Sequence, residues 1–176
     1  MTEQVSYSIL MEKDGLEIRQ YPDLLLATVM GLNDDDAFRS LFRYISGANR
    51  AGTKIPMTAP SVVSSGRQGR RIEMTVPVVT GSSSMSFVLP EEFDLDSVPA
   101  PDDEKVSIEL VPARKIGALR FRGYAGDAAV EKMRMKLLEM VKAAGFETVG
   151  EPFTMSYNGP FIPGFLRRNE VAVEVR

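Results

Sequence analysis

The stretch Lys54-Ile-Pro-Met-Thr-Ala-Pro60 is echoed seventeen residues later by Ile72-Glu-Met-Thr-Val-Pro77, and the two share the pattern I-x-M-T-x-P. In the second copy Ile72, Met74, Val76 and Val78 fall on one face and Arg71, Glu73 and Thr75 on the other. That is the period of a half-buried strand. Proline cannot donate to a sheet ladder, so Pro60 and Pro77 each mark an edge, a bulge or a strand end. Two similar strands flanking the turn Ser64-Ser-Gly-Arg-Gln-Gly69 are therefore expected, in a chain built largely of β-structure.

Working outward, Gly15-Leu-Glu-Ile-Arg-Gln-Tyr-Pro22 alternates and ends in a turn, and residues 24–31 read as a more fully buried strand. Asn33-Asp-Asp-Asp36 suits a helix start, where carboxylates cap free N–H groups and favour the dipole. Phe38, Leu41, Phe42 and Ile45 then form the apolar stripe of an amphipathic helix that stops at Gly47. Beyond a strand at residues 85–90, residues 91–104 hold seven acidic side chains and no basic one, the composition of a solvated linker. A second series follows: a strand at 106–112, another at 115–123, and a helix from about Asp127 with Val130, Met133, Leu137, Val141 and Ala144 as its stripe. Strands at 153–157 and 170–176 close the chain. The order strand-strand-helix-strand-strand thus occurs twice. The expectation is a single α+β domain over residues 1–176, made of two pseudo-symmetric ββαββ halves (about 1–90 and 105–176) that share one antiparallel sheet.

Composition narrows function. The chain has 176 residues, 44% of them hydrophobic, and a net charge of −3, with an isoelectric point near 5.2. It lacks the basic footprint expected of general nucleic-acid binding. No apolar run approaches the roughly 20 residues of a membrane span, so neither nucleic acid nor membrane is expected as a partner. No secretory leader is visible at Met1-Thr-Glu-Gln. Cysteine is absent, which suits a cytoplasmic setting. Histidine is absent too, which excludes His-Cys zinc sites, Ser-His-Asp triads and Cys nucleophiles. No nucleophile–base pair stands at recognisable spacing, and the expectation is a binding protein rather than an enzyme.

The segment Tyr157-Asn-Gly-Pro-Phe-Ile-Pro-Gly-Phe-Leu-Arg-Arg-Asn-Glu-Val171, taken with Leu16-Glu-Ile-Arg-Gln-Tyr-Pro22, Tyr44-Ile-Ser-Gly-Ala-Asn49, Lys54-Ile-Pro-Met-Thr-Ala-Pro60 and Phe87-Val-Leu-Pro90, resembles the SOUL haem-binding protein family over nearly the whole chain. The resemblance implies an eight-stranded, antiparallel, partly open barrel with two helices, also similar to the gyrase-inhibitor-like effector-binding fold. It implies haem or another tetrapyrrole as the small-molecule ligand. Axial ligation by His, described for some members, is excluded here. The groove that the resemblance points to lies beside the first helix, at Arg39, Phe42, Arg43, Ile45, Arg50, Lys54 and Met57. A porphyrin is a flat apolar disc with two carboxylates, so an apolar slot rimmed by basic groups suits it. Met57 is the best axial candidate if iron takes a protein ligand, although Met57 and Ile45 also read as core residues.

A second groove is expected around Glu170, Tyr157 and Phe161. Glu170 falls on the strand face opposite Val171, Val173 and Val175, where it would anchor a cationic effector, with hydrolysis as a possible activity of such relatives. The loop 158–169, with Phe161, Phe165 and Leu166, reads equally as a ligand lid or as a plug for the barrel end. A scaffold role, with this apolar loop meeting a protein partner of unknown identity, is the third reading.

Overall fold

The protein is described from a computed structural model, covering residues 3–64, 84–158 and 162–176. In chain order the elements are β1 (Glu3–Gln4), β2 (Ser8–Lys13), β3 (Leu16–Tyr21), β4 (Leu24–Met30), α1 (Asp34–Ile45), β5 (Thr58–Ser64), β6 (Ser84–Val88), β7 (Val106–Val111), β8 (Arg114–Arg122), α2 (Asp127–Ala143), β9 (Thr148–Ser156) and β10 (Arg168–Val175), with a short 3-10 turn at Gly164–Leu166 before β10. The strands form one sheet in the order β2-β3-β8-β10-β9-β5-β6-β4-β7, and β1 pairs with β5. Every neighbouring pair on that path is antiparallel; only β1 on β5 is parallel.

The expected count of eight strands is therefore corrected: among the described residues nine lie on the antiparallel path. The addition is β2, which pairs with β3 through the two-residue turn Asp14-Gly15. Both turn residues have positive φ, 52° and 87°, the left-handed geometry whose twist matches a tight hairpin and which Asp-Gly favours. The second I-x-M-T-x-P copy, Ile72 to Pro77, lies outside the described residues. The first enters β5 at Thr58, where the register with β6 shifts between Thr58 and Ser61. Pro60 occupies that irregularity, as its missing N–H requires.

Cross-strand partners share a face, and the register Val29–Met85–Val63–Thr154–Val171 carries one face across the sheet from α1 to α2. Both helices cover this face. α1 inserts Ala37, Leu41, Tyr44 and Ile45 among Leu25, Ala27, Val29, Phe87 and Leu89. α2 seats Leu137 and Val141 on Leu16, Ile18, Leu119 and the three valines of β10. Leu41, Leu137 and Val141 are fully buried, so truncating any one to Ala would cost about 2–5 kcal/mol. α1 is capped as its sequence suggests: Asn33 accepts the backbone N–H of Asp36 at 2.9 Å, and Asp34, Asp35 and Asp36 fill the first turn.

The opposite face of the sheet is buried as well. Tyr21 on β3 and Leu26 on β4 stand six strands apart in the order, yet they join one cluster with Val88, Ile116, Ala118, Phe153, Met155 and Ala172. Only a sheet curled into a half-barrel brings them together. The acidic segment 91–104 exposes most of its carboxylates but is tied down. Phe93 and Val98 pack against the α1 cluster, the Tyr44 hydroxyl donates to Pro99 O at 2.7 Å, and Arg50 N donates to Ala100 O at 2.9 Å. Burial pushes the Tyr44 phenol up to about 12, so it stays a donor at neutral pH. The expected linker is a strap held across the end of α1.

Candidate functional site

α1 buries one stripe and leaves the other outward. The outward side carries Phe42, 45% exposed despite being apolar, stacked on Phe38 with centroids 5.9 Å apart and rings 14° from parallel. Phe38 in turn meets Phe87 edge-on at 5.4 Å, which anchors the aromatic pair to the core. Beside these rings lies a cavity of about 820 Å³ lined by Leu32, Phe38 and Phe42, by the cations Arg39, Arg43 and Lys105, and by Asp35 and Asp36 of the first turn of α1. Its two arginines are held loosely. Arg39 reaches Asp36 at 3.9 Å and Arg43 reaches Asp103 at 3.4 Å, with both guanidiniums mostly in water. Such pairs contribute about 0–1 kcal/mol, so either cation can be redirected to a ligand carboxylate at little cost. Asp103 stays ionised: the backbone N–H of Lys105 bonds its carboxylate, and with the nearby Ser40 and Arg43 holds it below the usual carboxylate range.

Of the residues expected at the first helix, Arg39, Phe42 and Arg43 meet at this cavity. The other four do not line it. Ile45 is buried in the core beneath α1, and Met57 packs against the same cluster. Arg50 and Lys54 are exposed on the segment that follows the helix. Lys105, just past the acidic run 91–104, is the added member.

The donor set therefore suits a tetrapyrrole in part. Aromatic faces and three cations match an apolar disc with carboxylates, and Asp35 and Asp36 offset part of that positive charge. Neither Met57 nor any Tyr lines the cavity, and the chain has no His or Cys, so among the described lining residues Lys105 is the one with a nitrogen suited to iron. Among the described residues, no group of three or more acidic side chains could hold a metal ion. A second cavity of about 820 Å³ lies where β4, β6 and the strap meet, and its charged lining is Asp23, Glu91, Asp94 and Asp96, with no Lys or Arg. That charge repels carboxylates.

Glu170 stands on the other face of the sheet, fully buried. Arg19 grips its carboxylate with two parallel bonds, Nη1 to Oε2 at 2.7 Å and Nη2 to Oε1 at 2.9 Å. The Tyr157 hydroxyl donates to Oε2 at 2.6 Å, Arg168 donates to Oε1 at 3.1 Å, and Arg120 approaches at 3.5 Å. Arg19 is itself fixed by Glu17 at 2.7 Å and by the ring of Tyr7, 4.4 Å from its guanidinium carbon. Burial alone would raise the Glu170 carboxyl; hydrogen bonds from Arg19 and Tyr157 and the Arg19 charge outweigh it and hold the group down at about 2. Burial and the adjacent Glu170 charge push the Tyr157 phenol well above its usual range. Tyr157 thus bonds Glu170 directly, whereas Phe161 lies outside the described residues. Arg19 was missed because it sits on the polar side of an alternating strand, a side that in a half-barrel is interior.

The sequence profile of the SOUL heme-binding protein matches residues 2–174. No curated protein matches the chain in sequence. Among solved structures it is similar to the EcmrR C-terminal domain, at 10% identity, TM-score 0.63, covering 97% of this chain and 98% of that one. It is similar also to a hydrolase from Listeria innocua, at 11% identity, TM-score 0.63, covering 95% and 94%. In an EcmrR–DNA complex the match is 9% identical with TM-score 0.64, over 92% of this chain and 57% of that one. At such identities these likenesses establish the fold alone.

Proposed function

The chain belongs to the SOUL haem-binding protein family, and from that premise we propose that it is a non-enzymatic tetrapyrrole-binding protein that holds its ligand against α1 without histidine. The observation that carries this reading is Phe42: an aromatic side chain left nearly half exposed on a helix, stacked on Phe38 and facing a cavity rimmed by Arg39, Arg43 and Lys105. Phe38 and Phe42 would cover the apolar disc, and the three cations would meet its carboxylates. A bound haem would supply a redox-capable, light-absorbing centre; this chain supplies apolar cover and counter-charge. The absence of a spanning helix among the described residues and of cysteine supports a cytoplasmic setting as part of this reading.

The two-repeat organisation belongs to the same proposal. Read from its ends inward, the strand order without β2 matches β3 with β7, β8 with β4, β10 with β6 and β9 with β5, as two ββαββ halves related by a twofold would. The effector-binding alternative at Glu170 is favoured less, because a cationic ligand there would first have to displace Arg19.

Titrating ferric haem and iron-free protoporphyrin into the purified protein tests the proposal. With no His or Cys, the spectrum should be high-spin or weakly ligated. The two affinities should agree within roughly an order of magnitude, about 1.4 kcal/mol. No saturable Soret change at micromolar protein would overturn the reading. Much tighter binding of haem than of the iron-free ring would mean that iron has a protein ligand, with Lys105 and Met57 the first to replace.

A further inference from the structure

The loops beyond β8 and before β10 meet at one end of the sheet. Gly123 N donates to Arg167 O at 3.2 Å, the Asn169 side chain donates to Gly123 O at 2.9 Å, and the Tyr124 ring lies so close over Gly164 that any side chain there would overlap it. This end exposes three large side chains of apolar body: Tyr124 at 72%, Phe165 at 69% and Leu166 at 61%. Around them stand Arg120, Arg122, Arg167 and Arg168.

The two loops at this end are of one sign, although Asp14 in the β2–β3 turn lies at the same end of the sheet and Asp127 opens α2 just beyond. Neither residues 112–126 nor residues 152–169 contain an Asp or Glu, in a chain whose net charge is −3. Glu170 beneath is already shared among Arg19, Arg120 and Arg168. Arg122 sits directly across the ladder from Arg168, and like charges so placed repel. Seven of the chain's 24 acidic residues lie in segment 91–104, strapped to α1 in the other part of the sheet.

We propose that this end is a peripheral docking surface for an anionic lipid bilayer. The apolar groups project singly from a turn and a strand end. That arrangement suits the headgroup–acyl boundary, which accepts splayed side chains without a shaped partner. Tyr is at home at that depth, and arginine stems can lie along it while their heads meet phosphate. That no helix among the described residues is long and apolar enough to cross a membrane is no obstacle, because a peripheral contact needs none. The charge asymmetry turns this end, rather than the acidic strap, toward a negative surface.

Flotation of the ligand-free protein with vesicles is the test, so its outcome is independent of tetrapyrrole binding. The protein should float with vesicles of phosphatidylcholine and phosphatidylserine at low salt, and should stay behind with phosphatidylcholine alone or at high salt. Arg122→Gln should weaken partitioning about fivefold, the contribution of one cation near an anionic leaflet. Phe165→Ser combined with Leu166→Ser should weaken it tenfold or more; both residues are exposed, and circular dichroism checks that the fold is retained. No flotation with anionic vesicles would overturn the proposal, as would flotation that the double variant leaves unchanged or that salt does not reduce. Capture of a soluble protein that depends on Phe165 without any vesicle binding would reassign the surface to a protein partner.

Discussion

Two groups of arginines sit on opposite faces of the same sheet and are held in opposite ways. Around Glu170 the central pair is interior and doubly hydrogen-bonded, Arg19 1% exposed and its partner 0%, while the partly exposed Arg120 and Arg168 also lean on the same carboxylate. On α1, Arg39 and Arg43 stand in water with single, long contacts. A cation that already has its counter-ion in a dry environment contributes to the fold and has little left for a ligand. A cation loosely paired beside a cavity can change partner cheaply. The difference teaches that charge alone does not mark a binding site; unspent charge does.

The largest test of that contrast is Glu170→Gln. It should leave Arg19, Arg120 and Arg168 undercompensated and lower stability by about 3–5 kcal/mol, read as a fall in the denaturant midpoint. An unchanged midpoint together with loss of a cationic ligand would break the comparison and restore Glu170 as an anchor.

Next in size is the acid limb of stability. The folded Glu170 carboxyl titrates at about 2 against an ordinary 4.5. The unfolded chain therefore binds the extra proton between those values, and stability falls as pH drops through that window. The contribution at stake is on the order of 2–3 kcal/mol. Unfolding curves taken from pH 5 down to about pH 2 should show that loss in the native protein and a flatter profile in Glu170→Gln.

On the other face, Phe42→Ala should weaken porphyrin binding about tenfold, roughly 1.4 kcal/mol, while changing stability by less than about 1 kcal/mol. Parallel titration and thermal melts separate the two effects. Equal losses in both would make Phe42 a packing residue. The smallest effect is expected for Arg43→Ala: a few-fold loss in porphyrin affinity, equivalent to about 0–1 kcal/mol. It should vanish at about 1 M salt, where the screening length is about 3 Å. A loss that persists in salt would show a buried, specific contact in place of a screened one.

Local patterns were readable because they depend on neighbours in sequence. The α2 stripe of Leu137 and Val141, with Val130, Met133 and Ala144 packed beside them, follows from helical period alone. So does the carboxylate-rich start of α1. Of the α1 stripe, Leu41 and Ile45 are buried and Phe38 packs partly against the core, but Phe42 faces out and Tyr44 goes in, because Tyr44 has a hydroxyl partner at Pro99, 55 residues away. No window of periodicity contains that carbonyl. Arg19 was invisible for the same reason, its partner Glu170 lying 151 residues on. The Asp14-Gly15 signal for the β2 hairpin was present in the sequence and went unread, which left the strand count short. Lys105 needed the strap's path over α1 before its place at the cavity could be known.

The strand order also sets a timetable for the chain as it is made. β3 has only β2 and β8 as neighbours, and Arg19 pairs in register with Ile116, about a hundred residues downstream. At a synthesis rate of about 5–20 residues per second, β3 leaves the ribosome on the order of 5–20 seconds before β8 exists. Through that interval one edge of the β2–β3 hairpin stays unpaired and Arg19 has no Glu170. The nascent N-terminal part is thus a sticky, half-finished surface whose edge is covered only when β8 emerges and whose Arg19 gains its counter-ion last, with β10, so its yield depends on what shields it meanwhile.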